Sequence, residues 1–287
     1  MKNKNIVLFL LGLFFLPSVT CLWAEGIVVY GDSQHNEDIQ VKLIQRILTF
    51  KPTIVFRVGD LVDDGNNPEL WKRFNAIHGP LIKSTEYFPC LGNHENNSPL
   101  YFKNFPWINY QHWYSVERYG IRFIILDSNS PIDTSSDQYN WLKSELESSQ
   151  QVKFIILLFH HPLFDTGEIH SEDEKGLRPV LMPLISKYKI QAVFSGHSHN
   201  YQRFQYQDSY FIVTGGGGSY LYNQGRKSPH LQKFFKGFHF CLIRPQKDYL
   251  QVEVIDIDGN SIDKFDIPCR FNKENNASVS IPLEIAQ

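Results

Sequence analysis

Five times in this chain an apolar run of strand length stops at a short loop of side chains able to bind a metal ion. Gly26–Tyr30 (GIVVY) leads into Gly31-Asp32-Ser33-Gln34, and Thr53–Val58 (TIVFRV) into Gly59-Asp60-Leu61-Val62-Asp63. Glu86–Leu91 leads into Gly92-Asn93-His94-Glu95, Val152–Phe159 (VKFIILLF) into His160-His161-Pro162, and the β-branched run after Ile190 into Gly196-His197-Ser198-His199. Between these runs the apolar residues recur at helical spacing, as in Ile39, Val41, Leu43–Ile44 and Ile47–Leu48 of Ile39–Phe50. Pro68–His78, Asp137–Ser148 and Leu177–Tyr188 also read as helices, and Ile121–Leu126 as a further strand. Near-continuous apolar strands alternating with helices predict an α/β domain with buried sheets. Ligands of open α/β sheets bind beyond the carboxyl ends of the strands, so five such loops on one edge converge on one site.

After residue 209 the pattern changes. Ser209–Thr214, Phe238–Arg244 and Leu250–Asp256 read as strands without helices between them, and Asp258-Gly259-Asn260 as a turn. They are expected to be antiparallel and to complete the same sheet at its C-terminal end. No repeat or linker divides the 287 residues, so one catalytic domain over 25–269 is expected, with a loosely held polar tail over 270–287. Lys2 and Lys4, the apolar run Ile6–Leu16, Pro17 and the absence of an acidic residue before Glu25 describe a secretory signal peptide over 1–24. That run is too short to span a bilayer. A secreted or periplasmic protein follows, with no membrane contact after cleavage. If Cys21 leaves with the leader, Cys90, Cys241 and Cys269 remain and can form at most one disulfide. A net charge of −2, or −4 without the two leader lysines, gives no argument for a nucleic-acid partner.

The last of the five loops holds the sharpest local pattern. If the chain stays extended through Gly196-His197-Ser198-His199, side chains at i and i+2 leave on one face. Two imidazoles then stand side by side, each able to meet its own ion. Oxygen and imidazole donors without thiolate suit Mn, Fe or Zn. Thr214–Ser219 (TGGGGS) lacks the Lys-Ser/Thr ending of a nucleotide loop and reads as a tight turn that lets backbone approach closely.

The order Asp32, Gly59-Asp60, Gly92-Asn93-His94-Glu95, His160 and Gly196-His197-Ser198-His199 resembles the calcineurin-like metallophosphoesterase superfamily. Leu177–Arg203 and a histidine ten residues beyond His160 resemble its purple acid phosphatase-related branch. The resemblance spans about residues 26–205 and implies a four-layer αββα sandwich. It also implies two adjacent metal ions bridged by Asp60. One would also bind Asp32, His199 and Gln34, and the other Asn93, His160 and His197. Two ions about 3.5–4 Å apart can hold a hydroxide and clamp the oxygens of an in-line displacement at phosphorus. The resemblance places His94 and His170 over the phosphate, to stabilise developing charge or protonate the leaving oxygen. His161 is read as a structural neighbour of His160. The implied reaction is hydrolysis of phosphate monoesters. A phosphodiesterase or nucleotide pyrophosphatase is the alternative within the class, and a non-catalytic secreted binding protein the one outside it.

Two positions depart from these relatives. Gln34 stands where the superfamily has Asp-x-His, and an amide oxygen is a weaker donor than imidazole. Asp63 stands where the purple branch has its tyrosine ligand, so a purple ferric centre is not expected. Asp63 can instead orient a histidine from behind. The stretch around Asp60 also resembles the protein Ser/Thr phosphatases, but Asp64 and Leu91 replace their phosphate-gripping arginines, so a small phosphate ester is expected rather than a protein.

Overall fold

Residues 26–271 are described by a computed structural model. In chain order the elements are β1 (Ile27–Tyr30), α1 (Glu37–Thr49), β2 (Ile54–Arg57), α2 (Pro68–Ser84), β3 (Glu86–Pro89), α3 (Pro99–Asn104), β4 (Tyr114–Arg118), β5 (Ile121–Ile125) and α4 (Asp137–Ser148). They continue with β6 (Phe154–Leu158), α5 (Arg178–Lys187), β7 (Ala192–Ser195), β8 (Tyr201–Tyr206), β9 (Ser209–Thr214), β10 (Leu231–Phe235), β11 (His239–Pro245), β12 (Tyr249–Asp256) and β13 (Ser261–Pro268). Two sheets result, in the orders β13-β12-β11-β1-β2-β3 and β10-β8-β9-β7-β6-β5-β4.

Strand alternation explains why the sheets stack. On β5, Phe123 and Ile125 enter the large core shared with the first sheet, while Ile124 and Leu126 enter a second core under α4 and α5. β6 divides in the same way, with Ile156 and Leu158 in the first core and Ile155 and Leu157 in the second. On the other outer face, Leu43, Ile44 and Ile47 of α1 and Trp71, Phe74 and Leu81 of α2 pack against the first sheet. The layers run helix, sheet, sheet, helix, as the resemblance implies.

Several expectations are corrected. β9 is parallel to β7 and antiparallel only to β8, so Ser209–Thr214 belongs to the α/β part of the fold. The late strands complete two sheets, since β8–β10 extend the second while β11–β13 extend the first beside β1. α2 runs on through Pro80 to Ser84, where Gly79-Pro80 reads as a stop. The buried Leu81 one residue later gives the extra turn its compensation. Cys90, Cys241 and Cys269 are buried free thiols, with no disulfide among the described residues. The signal-peptide reading falls outside the described residues, as does 272–287. The start of the tail is tied down, since the Arg270 N–H donates to Lys153 O at 3.1 Å and its guanidinium to Ser149 O at 2.9 Å. Among the described residues, no helix is long and apolar enough to cross a membrane.

Candidate metal centre

All five loops emerge where their strands end, and they meet. Parallel pairing of β1 with β2 and β2 with β3 brings the first three to one edge, and β6 beside β7 brings the last two. The backbone then turns sharply. Asp32, Asp60 and His197 have φ of 61°, 52° and 68°, a left-handed conformation that non-glycine residues seldom adopt. The extended His197-Ser198-His199 expected from the sequence is therefore corrected, because the chain bends at His197. Small neighbours make the bend possible. A Cβ on Gly196 would overlap the Asp32 carboxylate. The glycine loop after β9 backs the same spot, with Gly217 N–H donating to Gly31 O at 2.8 Å and Ser219 N–H to Asp32 O at 3.0 Å.

The bend separates the two histidines into different donor groups. Around His197 Nδ1 lie Asn93 Oδ1 at 3.1 Å and His160 Nε2 at 3.2 Å. His160 Nε2 is 2.9 Å from Asn93 Oδ1 and 3.3 Å from Asp60 Oδ2. Around His199 Nε2 lie Asp32 Oδ1 at 3.5 Å and the Gln34 amide nitrogen at 3.4 Å, and that N–H donates to Asp60 Oδ2 at 3.4 Å. Donors about 2.1 Å from a common ion stand roughly 3.0–3.4 Å apart at octahedral to tetrahedral angles. The group around His197 spans 2.9–3.3 Å and so lies close to that spacing, the Asp32–His199 pair is slightly wider at 3.5 Å, and Asp60 Oδ2 stands beside both groups.

Lone pairs decide what the spacing means. His160 Nδ1 donates to Val58 O at 2.8 Å, and His199 Nδ1 to Tyr220 O at 2.8 Å. Each bond uses the Nδ1–H and leaves Nε2 as the atom turned toward the cluster, free to ligate once it carries no proton. His197 is held the other way round, with Nε2 donating to Glu174 Oε2 at 3.2 Å and Nδ1 facing Asn93 and His160. Asp32 Oδ2 and Gln34 Oε1 are buried without any hydrogen-bond partner. Around His197 acceptor faces acceptor, an arrangement that costs free energy unless a proton or a cation lies between, whereas in the His199 group the Gln34 amide nitrogen donates to Asp60 Oδ2 and only a flip of that amide turns its oxygen inward. The residues fit two metal ions, and all their donors are oxygen or imidazole nitrogen.

Without ions, protons take part of that role. Burial works against a charged His160, but the Asp60 carboxylate outweighs it and lifts the imidazole to about 9. Burial likewise opposes ionised Asp60, yet His160 holds it well below the usual carboxylate range. Burial keeps Asp32 well above that range. Burial and the neighbouring His160 push His197 down to about 2, and burial lowers His199 to about 4.

Of the two histidines expected over the phosphate, His94 presents Nε2 3.9 Å from Asp60 Oδ2, and its Nδ1 donates to Asp63 O at 2.6 Å. Asp63 Oδ1 lies 3.4 Å from both His94 Nδ1 and His35 Nε2, so it touches histidines outside the two donor groups. His170 lies over His197 at a ring separation of 3.7 Å, with Nδ1 3.3 Å from Glu174 Oε2. His161 is buried against the His160 and His197 rings, its Nδ1 paired with Ser128 Oγ at 2.8 Å. Tyr222 stacks on His199 at 4.3 Å, and burial followed by the charges of Asp32 and Asp60 raises its phenol to about 12. It therefore stays protonated.

Three contributors escape sequence reasoning. Glu95 is fully buried and accepts from the backbone N–H of Gly92 (2.7 Å), Leu61 (2.8 Å), Asp60 (3.0 Å) and Val62 (3.4 Å). It thereby fixes the turn that aims Asp60. Burial and the Asp60 charge push its carboxyl up to about 7, against those four donors. Glu174 comes from a connecting loop with no motif to mark it. Arg57, fully buried on β2, reaches Tyr87 Oη at 2.9 Å and Ser33 Oγ at 2.6 Å, and so grips the residue between Asp32 and Gln34.

Comparison with known proteins agrees with this geometry. The chain is 27% identical over 164 residues to purple acid phosphatase 21 of Arabidopsis thaliana, covering 51% of this chain and 38% of that protein. It is 29% identical over 199 residues to the Fe(3+)-Zn(2+) purple acid phosphatase 12 of the same plant, covering 58% of this chain and 40% of that one. It thus spans less than half the length of these relatives. A solved purple acid phosphatase from yellow lupin (Lupinus luteus) seeds shares the fold, with a TM-score of 0.74 at 22% identity over 85% of this chain and 53% of the other. The calcineurin-like phosphoesterase profile matches residues 26–201, which carry all five loops, and the chain belongs to that family.

Proposed function

We propose that this chain is a dinuclear metal-dependent phosphoesterase that hydrolyses phosphate monoesters of small molecules. The observation that carries the reading is the pair of donor groups sharing Asp60, with their lone pairs turned inward by Val58 O, Tyr220 O and Glu174. In this reading Asp32, Gln34, Asp60 and His199 hold one ion, and Asp60, Asn93, His160 and His197 hold the other. Mn, Fe and Zn all suit such donors. When bound, the ions would activate water and neutralise the oxygens of the transferring phosphoryl group.

The remaining steps fall to the protein. His94, a third exposed and braced through Nδ1 by Asp63, can donate from Nε2 to the phosphoryl or leaving oxygen. His170 stands on the opposite side, braced by Glu174. The lysine–apolar leader of residues 1–24 supports export, which would place the activity in a secreted or periplasmic setting. The test compares 4-nitrophenyl phosphate with bis(4-nitrophenyl) phosphate on the chelated and the reloaded protein. Monoester turnover lost on chelation, restored by Mn or Zn and lost in His197→Ala is expected. Turnover that survives chelation, or a faster diester, refutes the reading.

A further inference from the structure

The side chains around the donor groups form a continuous rim. His94 Nδ1 and His35 Nε2 are each 3.4 Å from Asp63 Oδ1, and the His35 ring lies 4.6 Å from that of Tyr220. Two residues on, Tyr222 lies 4.3 Å from the His199 ring and 5.7 Å from that of His170, which rests on His197 at 3.7 Å. Tyr220 is 63% exposed although its backbone carbonyl is bound to His199, so its ring stands at the mouth and not in the core. Imidazole and phenol faces thus make up this rim, and its only acidic groups are Asp63 and Glu174.

No cation is bonded to its side chains. Among the described residues, no lysine or arginine forms a hydrogen bond or ion pair with the side chain of His35, Asp63, His94, His170, Glu174, Tyr220 or Tyr222. Arg226 donates to the backbone carbonyls of Asp165 and His170, and Lys175, whose charge acts on His161, pairs with none of these side chains. A leaving group with further phosphates or carboxylates would meet Asp63 and Glu174 with nothing to pair it. A flat uncharged ring would meet aromatic faces, which attract it by offset stacking and remove its apolar surface from water.

We propose that the site selects phosphate monoesters of a planar, uncharged aryl group, with Tyr220 and Tyr222 as the shelf that receives the ring. The proposal rests on the phosphoesterase reading, because the shelf matters only if the donor groups hold the phosphate. The two tyrosines sit in the loop that follows the glycine run Gly215–Gly218, so the segment that backs Asp32 also carries the selecting side chains. This gives the run a use that its lack of a nucleotide-loop ending leaves open.

The test measures binding, not turnover. Phenylphosphonate, methylphosphonate and inorganic phosphate are titrated into the manganese-loaded protein by calorimetry. The shelf predicts phenylphosphonate binding about tenfold tighter than methylphosphonate. Tyr220→Ala and Tyr222→Ala should each cut that ratio about two- to tenfold, the worth of one stacked pair. Tyr220→Phe and Tyr222→Phe keep the face and should keep the ratio. They also serve where loss of the Tyr222 ring disturbs His199. A wild-type ratio near one, or a ratio unchanged in both alanine variants, overturns the shelf and leaves the phosphoesterase reading standing. Failure of all three ligands to bind overturns both.

Discussion

Loading the ion-free protein with metal should release protons, and the amount can be worked out from the cluster. His160, lifted to about 9 by Asp60, carries a proton at pH 7 on the Nε2 that points at Asn93 and His197. An ion cannot occupy that position until the proton leaves. At pH 7 this costs two pH units of apparent affinity, about 2.7 kcal/mol or roughly a hundredfold. Asp32, held well above its usual range, acts in the same direction for the other ion. His160 therefore binds a proton that metal displaces, and the upward shift of Asp32 acts in the same sense. Apparent affinity therefore rises with pH, about tenfold per unit per proton released, until His160 itself titrates near 9. Titration of manganese into the chelated protein, in two buffers of different ionisation enthalpy at pH 6, 7 and 8, reads the proton count directly. At least one proton per pair of ions is expected at pH 7. Equal heats in the two buffers, with affinity flat between pH 6 and 8, would refute the picture of acceptors turned inward on a shared cation.

Two further outcomes test the supports of the site. Glu95→Gln replaces a carboxylate that receives four N–H bonds by an amide with one accepting oxygen, and should cost about 2–4 kcal/mol in urea unfolding of the ion-free protein. A midpoint unchanged from wild type would mean that the Asp60 turn does not depend on that carboxylate. Gln34→His puts an imidazole where the amide stands 3.4 Å from both Asp60 and His199, and should tighten one of the two manganese sites about tenfold while leaving the other alone. Two sites shifted equally, or neither, would remove Gln34 from that ion's donors.

Most of the architecture and the meeting of the loops could be read from the sequence, because the strands that carry donors are short, apolar and punctuated by glycine. What could not be read has physical causes. β4 and β10 are half-polar edge strands whose residues alternate weakly between core and solvent, so no period of two marks them. The direction of β9 depends on partners 18 residues upstream, which no local pattern encodes. The side-by-side reading of His197 and His199 holds only for an extended chain, and the left-handed His197, with Gly196 packed against Asp32, has no mark in residue type. Glu174 acts through a contact 23 residues away on a loop of ordinary composition. Glu95 sits inside a recognised motif, yet its four bonds run to backbone, and backbone partners leave no trace in residue type.

The buried Arg57 bears on what the centre would do with charge. It contacts hydroxyls, a ring and a carbonyl, and no carboxylate pairs with it directly. Its charge must therefore be met by the field of the buried acids nearby. Two divalent ions would bring four positive charges, Asp32 and Asp60 as ligands would return two, Glu95 with its carboxyl pushed up to about 7 returns a fraction of one, and Arg57 adds one. The tyrosinate that would have cancelled another is replaced by Asp63, whose carboxylate is half in water. The interior would be left about two to three charges positive, and the dianion of a phosphate monoester would offset more of that charge than a monoanion. A phosphate diester brings only one charge. The same count makes free phosphate a strong competitor, so an enzyme built on this arrangement would be governed by how fast its product leaves.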